Sequence, residues 1–190
     1  MSLLRQQDCP PQPWKNGLGS TRELAVYPSH AGSDAWVWRV SIATVDSAAP
    51  FSSFPGIDRH IVLLRGAGFR MTLDGERHHA LDTPFAPFAF PGEAVVTTAL
   101  LDGASEDFNL MVRRERAQGD VEVWRETGPH RIDVSVVLIY CAAGAIDMAG
   151  VTIEPGAAWQ TEPDDPSIPV LHPGTVALAV RIVTRQEPTR

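Results

Sequence analysis

Long apolar runs are missing from this chain, and so is any excess of basic charge. No apolar stretch approaches the length a membrane span requires, and a net charge of -7 argues against a nucleic-acid or anionic-membrane partner. Cysteine is scarce. Cys9 and Cys141 stand far apart with no C-x-x-C spacing, so no local zinc or redox motif is signalled. They read as small buried residues of a reducing compartment, with a disulfide left open. The opening Met1-Ser2-Leu3-Leu4-Arg5-Gln6-Gln7 lacks the basic start and apolar stretch of a secretory signal, and a soluble cytoplasmic protein is expected.

Local signatures of catalysis are missing too. There is no G-x-S-x-G and no phosphate-loop motif, and Cys141 sits in an apolar run with no activating His beside it. Gly66-Ala67-Gly68 lacks the third glycine of a dinucleotide loop and leads into a strand pattern. A metal site on a strand needs His residues two apart, so that both side chains reach one face. Here His78 and His79 are adjacent, and His30, His60, His130 and His172 are isolated. No metal and no cofactor is expected.

What the chain does have is punctuation. Sixteen prolines and fifteen glycines cut it into short pieces, and no stretch carries a long helical period with caps at both ends. Trp36–Val45 alternates, with Trp36, Trp38, Val40 and Ile42 on one face. Ile61–Leu64, Phe69–Leu73, Ala94–Leu101, Phe108–Val112, Val121–Trp124, Val134–Tyr140, Ala157–Trp159 and Val176–Val183 are further strand candidates. Short β-rich runs between Gly/Pro turns give an all-β chain, a sandwich or a barrel.

Two segments read alike. Ile61–Gly68, Met71–Leu73, Pro91-Gly92 and Ala94–Leu101 run in the same order as Val137–Gly144, Val151–Ile153, Pro155-Gly156 with His172-Pro173-Gly174, and Val176–Val183. Apolar strand, glycine turn, short strand, P-G turn, apolar strand suits a small cupin-type β-barrel, although a sandwich gives similar punctuation. Two tandem halves in one chain make a bicupin, with a motif-bearing half over 1–118 and a second half over 119–190.

Three polar clusters remain. The first is Pro13–Glu23, which follows neither strand nor helix periodicity. Its Gly17 and Gly19 permit close approach of another group, and Lys15, Asn16, Thr21 and Arg22 supply donors suited to a small anion. The plainer reading is a polar loop whose Trp14 caps a core. The second is Phe51–His60, a turn-rich passage feeding a buried strand. The third is Asp102–Arg114, where Asp107, Asn109, Met111 and Arg113 share one face of a strand. Such a face is usually solvated, but short Asp and Asn side chains with an Arg suit a lined cavity.

Taken together, Trp14-Lys15-Asn16-Gly17-x-Gly19-x-Thr21-Arg22-Glu23, Trp38-Arg39-Val40-Ser41-Ile42-Ala43, Phe51-Ser52-x-Phe54-Pro55-Gly56-x-Asp58-Arg59 and Asp107-Phe108-Asn109-x-Met111-x-Arg113-Arg114 resemble the HutD/Ves family. The match covers most of residues 13–114; where the family runs three glycines after the Asn, Leu18 takes the middle place. The resemblance implies a bicupin without the metal ligands of enzymatic cupins. It also implies a link to bacterial histidine utilisation, in which the HutD branch limits the pathway by sensing an intermediate such as formate, N-formylglutamate or urocanate.

The leading expectation is therefore a non-enzymatic protein that binds a small organic acid. Lys15, Arg22, Arg39 and Arg59 supply charge; Asn16, Thr21, Ser41, Asp58, Asp107 and Asn109 fix orientation; Trp14 or Trp38 forms an apolar wall. Pairs such as Arg22 with Glu23 or Arg59 with Asp58 are structural alternatives. Two other readings stay open: a metal-independent enzyme using Asp58, Asp107 or Glu23 as proton carrier, and an oligomeric scaffold without ligand. Edge strands make a homodimer an expectation under all three.

Overall fold

The computed structural model describes residues 2–14, 17–29, 35–162 and 166–185; Lys15 and Asn16, two of the expected site residues, lie outside them. The described chain is all-β apart from one 3-10 turn at Gln6–Asp8. In chain order the strands are β1 (Ser2–Arg5), β2 (Gln12–Pro13), β3 (Gly19–Tyr27), β4 (Trp38–Val45), β5 (Ile57–Arg65), β6 (Phe69–Leu73), β7 (Arg77–Leu81), β8 (Pro87–Pro91), β9 (Val96–Leu100), β10 (Ser105–Arg113), β11 (Ala117–Trp124), β12 (Gly128–Pro129), β13 (Val136–Ala143), β14 (Ile146–Met148), β15 (Val151–Ile153), β16 (Ala157–Gln160), β17 (Val170–Leu171) and β18 (Val176–Thr184).

These strands form two compact units. One takes Cys9–Gln118 with the chain from Thr184 onward; the other takes Gly119–Val183 with the chain up to Asp8. In the first, β10 lies inside an antiparallel six-stranded sheet of order β2-β3-β4-β10-β5-β8. A three-stranded sheet, β7-β6-β9, completes the unit. Ile61 and Leu63 of β5 pack with Phe69, Met71 and Leu73 of β6 and with Val96 of β9 in one fully apolar cluster. In the second unit the sheets are β1-β16-β13-β18-β11 and β12-β17-β14-β15, around Ile139, Cys141, Ile146, Trp159, Ala177 and Ala179.

The two units repeat one local device. Gly66, after β5, lies so close to Ser105 at the start of β10 that an added Cβ would sit 2.7 Å from its hydroxyl oxygen. Gly144, after β13, lies against Thr175 just before β18, with the corresponding distance 2.5 Å. In each unit that hydroxyl accepts a hydrogen bond from the backbone N–H just past the turn: Gly68 to Ser105 at 2.9 Å, Ala145 to Thr175 at 3.0 Å. The glycine turn that follows the first apolar strand of each sequence segment thus has the same local geometry in both units.

One expectation needs correcting. Pro13–Glu23 is not simply a polar loop, because β3 begins at Gly19 and pairs with β4 from Gly19↔Val45 onward. Alternation fails as a signal here because Thr21 and Glu23 face a polar cavity, leaving neither side of the strand uniformly apolar. β7 and β8 also escape the sequence pattern: β8 opens and closes on prolines, which an edge strand tolerates, and pairs only with β5.

Candidate functional site

Alternation on the six-stranded sheet sorts side chains into two sets. Trp38, Val40 and Ile42 of β4, with Phe108, Leu110 and Val112 of β10, occupy one buried face. The opposite face carries Arg39, Ser41 and Ala43 on β4, and Asp107, Asn109 and Met111 on β10. Register extends it: Thr21 and Glu23 of β3 stand beside Ala43 and Ser41, and Arg59 of β5 stands between Met111 and Phe90 of β8. A cavity of about 420 Å³ opens on this face, within the range of small-molecule sites.

Trp14 and the loop before β5 wall the cavity. The Trp14 N–H donates to the Gly19 carbonyl at 2.9 Å, folding the indole back over the strand start. An added Cβ on Gly19 would meet the Trp14 ring at 3.0 Å and the Thr44 carbonyl at 2.5 Å; only glycine lets the ring lie there. The indole N–H then donates to the Thr21 hydroxyl at 2.8 Å. Phe51 meets Trp14 edge-on at 6.3 Å, and Pro50, Ser52 and Phe54 complete that wall.

Charge is concentrated at the floor. Arg59 is 6% exposed, with its guanidinium over the rings of Phe90, Phe51 and Phe54 at 4.9, 5.1 and 5.8 Å. It donates to Asn109 Oδ1 at 2.9 Å, and Asn109 Nδ2 donates in turn to Asp107 Oδ1. Burial holds the guanidinium down to about 10, with Asp107 opposing and Arg39 reinforcing the shift. Asp107, 1% exposed, is pushed up to about 7 by burial, against the pull of Arg59 and the Asn109 hydrogen bond and with Glu106 adding to the rise. Arg39 is lowered by burial and partly restored by Glu23, 4.0 Å away.

Three buried polar atoms have no hydrogen-bond partner among the described residues: Arg39 Nε, Arg59 Nε and Asp107 Oδ2. All three side chains line this cavity. Buried polar groups are nearly always satisfied in folded proteins, so three such atoms on side chains around one space leave hydrogen-bonding capacity that a polar guest could take up.

Trp14, Thr21, Arg39, Ser41, Arg59, Asp107 and Asn109, all expected from the sequence, come together here. Others do not. Arg22 donates to the Cys9 carbonyl. Asp58 is ion-paired to Arg114 at 2.7 Å, and Arg114 also holds Glu93 at 2.9 Å. Trp38 stacks on Tyr27 at 5.9 Å on the far face of β4, so the indole wall is Trp14 alone. The pairings weighed from sequence are replaced by Arg39 with Glu23 and Arg114 with Asp58, because adjacent strand residues point to opposite faces. Phe51, Phe54 and Met111 stood inside recognised motifs without being read as lining; cross-strand register, which carries that information, is not a local signal.

The counterpart positions in the other unit are apolar. Two and four residues past its hydroxyl, β18 has Ala177 and Ala179 within the apolar cluster, where β10 has Asp107 and Asn109. His172 and Asp147 form an exposed pair at 2.8 Å. Among the described residues no group of three or more His, Cys, Asp or Glu is placed to hold a metal ion, and no helix is long and apolar enough to cross a membrane.

Residues 6–175 match the model of the HutD family. An uncharacterised 21.2 kDa protein in the hutC 3′ region of Pseudomonas putida is 38% identical over 156 residues, covering 81% of both chains. Protein Ves of Cronobacter sakazakii is 38% identical over 149 residues, covering 77% of this chain and 80% of its own. The solved structure of HutD from Pseudomonas fluorescens SBW25, in a formate condition, superposes with a TM-score of 0.83 at 31% identity, covering 97% of this chain and 99% of that one.

Proposed function

The chain belongs to the HutD family, and from that premise we propose that it binds a small organic acid in the cavity of its N-terminal unit and thereby limits histidine utilisation. One observation carries the reading: two guanidiniums, the buried Arg59 and the half-buried Arg39, line one cavity, each with an Nε that has no hydrogen-bond partner among the described residues. Guanidinium donors match a carboxylate in geometry and charge, and the low local dielectric strengthens the contact. Ser41, Thr21 and Asn109 offer further hydrogen bonds, while Trp14 and Phe51 cover an apolar portion. Formate, N-formylglutamate and urocanate are the acids of choice. The Pseudomonas putida relative's place in the hutC 3′ region supports the link to that pathway, and the repeated glycine-hydroxyl device supports two tandem cupin-type halves.

The test is thermal unfolding of the pure protein against formate, N-formylglutamate, urocanate, histidine and glutamate. An acid present at about 100 times its dissociation constant stabilises by about 2.7 kcal/mol, several degrees for a chain of this size. Arg59→Lys keeps the charge but loses the planar fork, and it should weaken binding at least about tenfold. No shift with any acid would overturn the proposal.

A second reading rests on Asp107. A buried carboxyl pushed up to about 7 is suited to exchange a proton with a bound molecule. Turnover of one of these acids, abolished by Asp107→Asn with binding retained, would make the protein a metal-independent enzyme.

A further inference from the structure

The hydrogen bonds at the cavity floor run in one direction. Arg59 donates to Asn109, and Asn109 donates to Asp107 Oδ1. Asp107 therefore ends the chain as an acceptor: its side chain lines the cavity, and its buried Oδ2 has no hydrogen-bond partner among the described residues. With Asp107 ionised, a ligand that offered only a carboxylate would satisfy Arg39 and Arg59 but leave that oxygen unpartnered, or set a second anion against it. We propose that the site takes a carboxylic acid that also carries an N–H donor, the carboxylate resting on Arg39 and Arg59 and the N–H on Asp107 Oδ2. This rests on the small-acid reading and deepens it: Asp107 becomes the residue that decides between acids the arginines cannot tell apart.

The surroundings favour this polarity. Of the charged groups lining the cavity, Arg59 on β5 acts on Asp107, Arg39 on β4 acts on Arg59 and Glu23 on β3 acts on Arg39, with Glu106 beside Asp107 on β10. Arg59 thus stands near Asp107, with Arg39 beside Arg59, so a ligand carboxylate and the Asp107 carboxylate can both be held once a donor lies between them. Burial raises the proton affinity of Asp107, and a ligand N–H reverses that shift by stabilising the ionised form. A site built to hydrogen-bond an N–H rejects an isostere lacking it, because the buried acceptor is then stranded.

Matched probes isolate the donor: pyrrole-2-carboxylate against furan-2-carboxylate, and N-acetylglycine against O-acetylglycolate. Within each pair the shape and carboxylate are shared, and an N–H is exchanged for an oxygen. Titration calorimetry on the intact protein at pH 7.5 should show at least one N–H acid bound about tenfold or more tighter than its oxygen isostere. Asp107→Asn, checked for folding by its unfolding transition, should reduce that preference to about threefold or less. Equal binding within both pairs would overturn the inference while leaving the small-acid reading in place. A preference that persisted unchanged in Asp107→Asn would overturn the assignment to Asp107. Failure of all four probes and of every acid in the unfolding panel would remove the small-acid reading and this inference with it.

Discussion

Asp107 is the residue where burial and function pull hardest against stability. Its carboxyl stands near 7 in the folded chain against an ordinary 3.8, so between those values the folded state holds a proton that the unfolded state has released. By linkage, stability then falls as pH rises from about 4 to about 7 and levels off above that. Asp107→Asn removes the titration. The variant should match the natural protein in denaturant unfolding at pH 4 and gain on it progressively up to pH 8, provided no acid is bound. A gain independent of pH would show that Asp107 is not the group responsible. Arg59 is the complementary case, a cation kept in a nearly closed aromatic surround, and replacing it should cost binding more than fold.

Elements hold these side chains through short, specific contacts. Gly19→Ala places a Cβ 2.5 Å from the Thr44 carbonyl and against the Trp14 ring; overpacking of this kind should destabilise by about 1–3 kcal/mol and weaken acid binding by displacing the indole wall. Ser105→Ala and Thr175→Val each strand a backbone N–H at the repeated turn. Each should cost about 1–3 kcal/mol in denaturant unfolding, and neither should change binding, since neither side chain lines the cavity. The strands themselves were largely legible in the sequence where one face meets a core: Phe69–Leu73 is β6, and the alternating 107–113 run lies in β10. β3 was not, because its cavity-facing side chains are polar. The same blind spot put Trp38 and Asp58 in the expected site, for local pattern gives which residues share a face but not which face meets the cavity.

At the scale of the whole molecule, two units with one turn device differ in what fills them. The N-terminal unit sets Asp107 and Asn109 where the C-terminal unit sets Ala177 and Ala179, so the charged lining described above belongs to the first. That asymmetry was partly legible too, in the crowding of Arg, Asp and Asn motifs before residue 118. What the sequence could not supply was the cavity, which arises when register aligns Glu23, Ser41 and Asn109 across three strands. The most direct measurement is the proton–nitrogen NMR spectrum of the arginine Nε–H groups during titration with the acid that raises unfolding temperature most. The account predicts saturable shifts at Arg39 and Arg59, whose Nε groups have no hydrogen-bond partner among the described residues, and none at Arg181, whose Nε is held by Glu122 at 2.7 Å. Saturable binding that left Arg39 and Arg59 unmoved would contradict it.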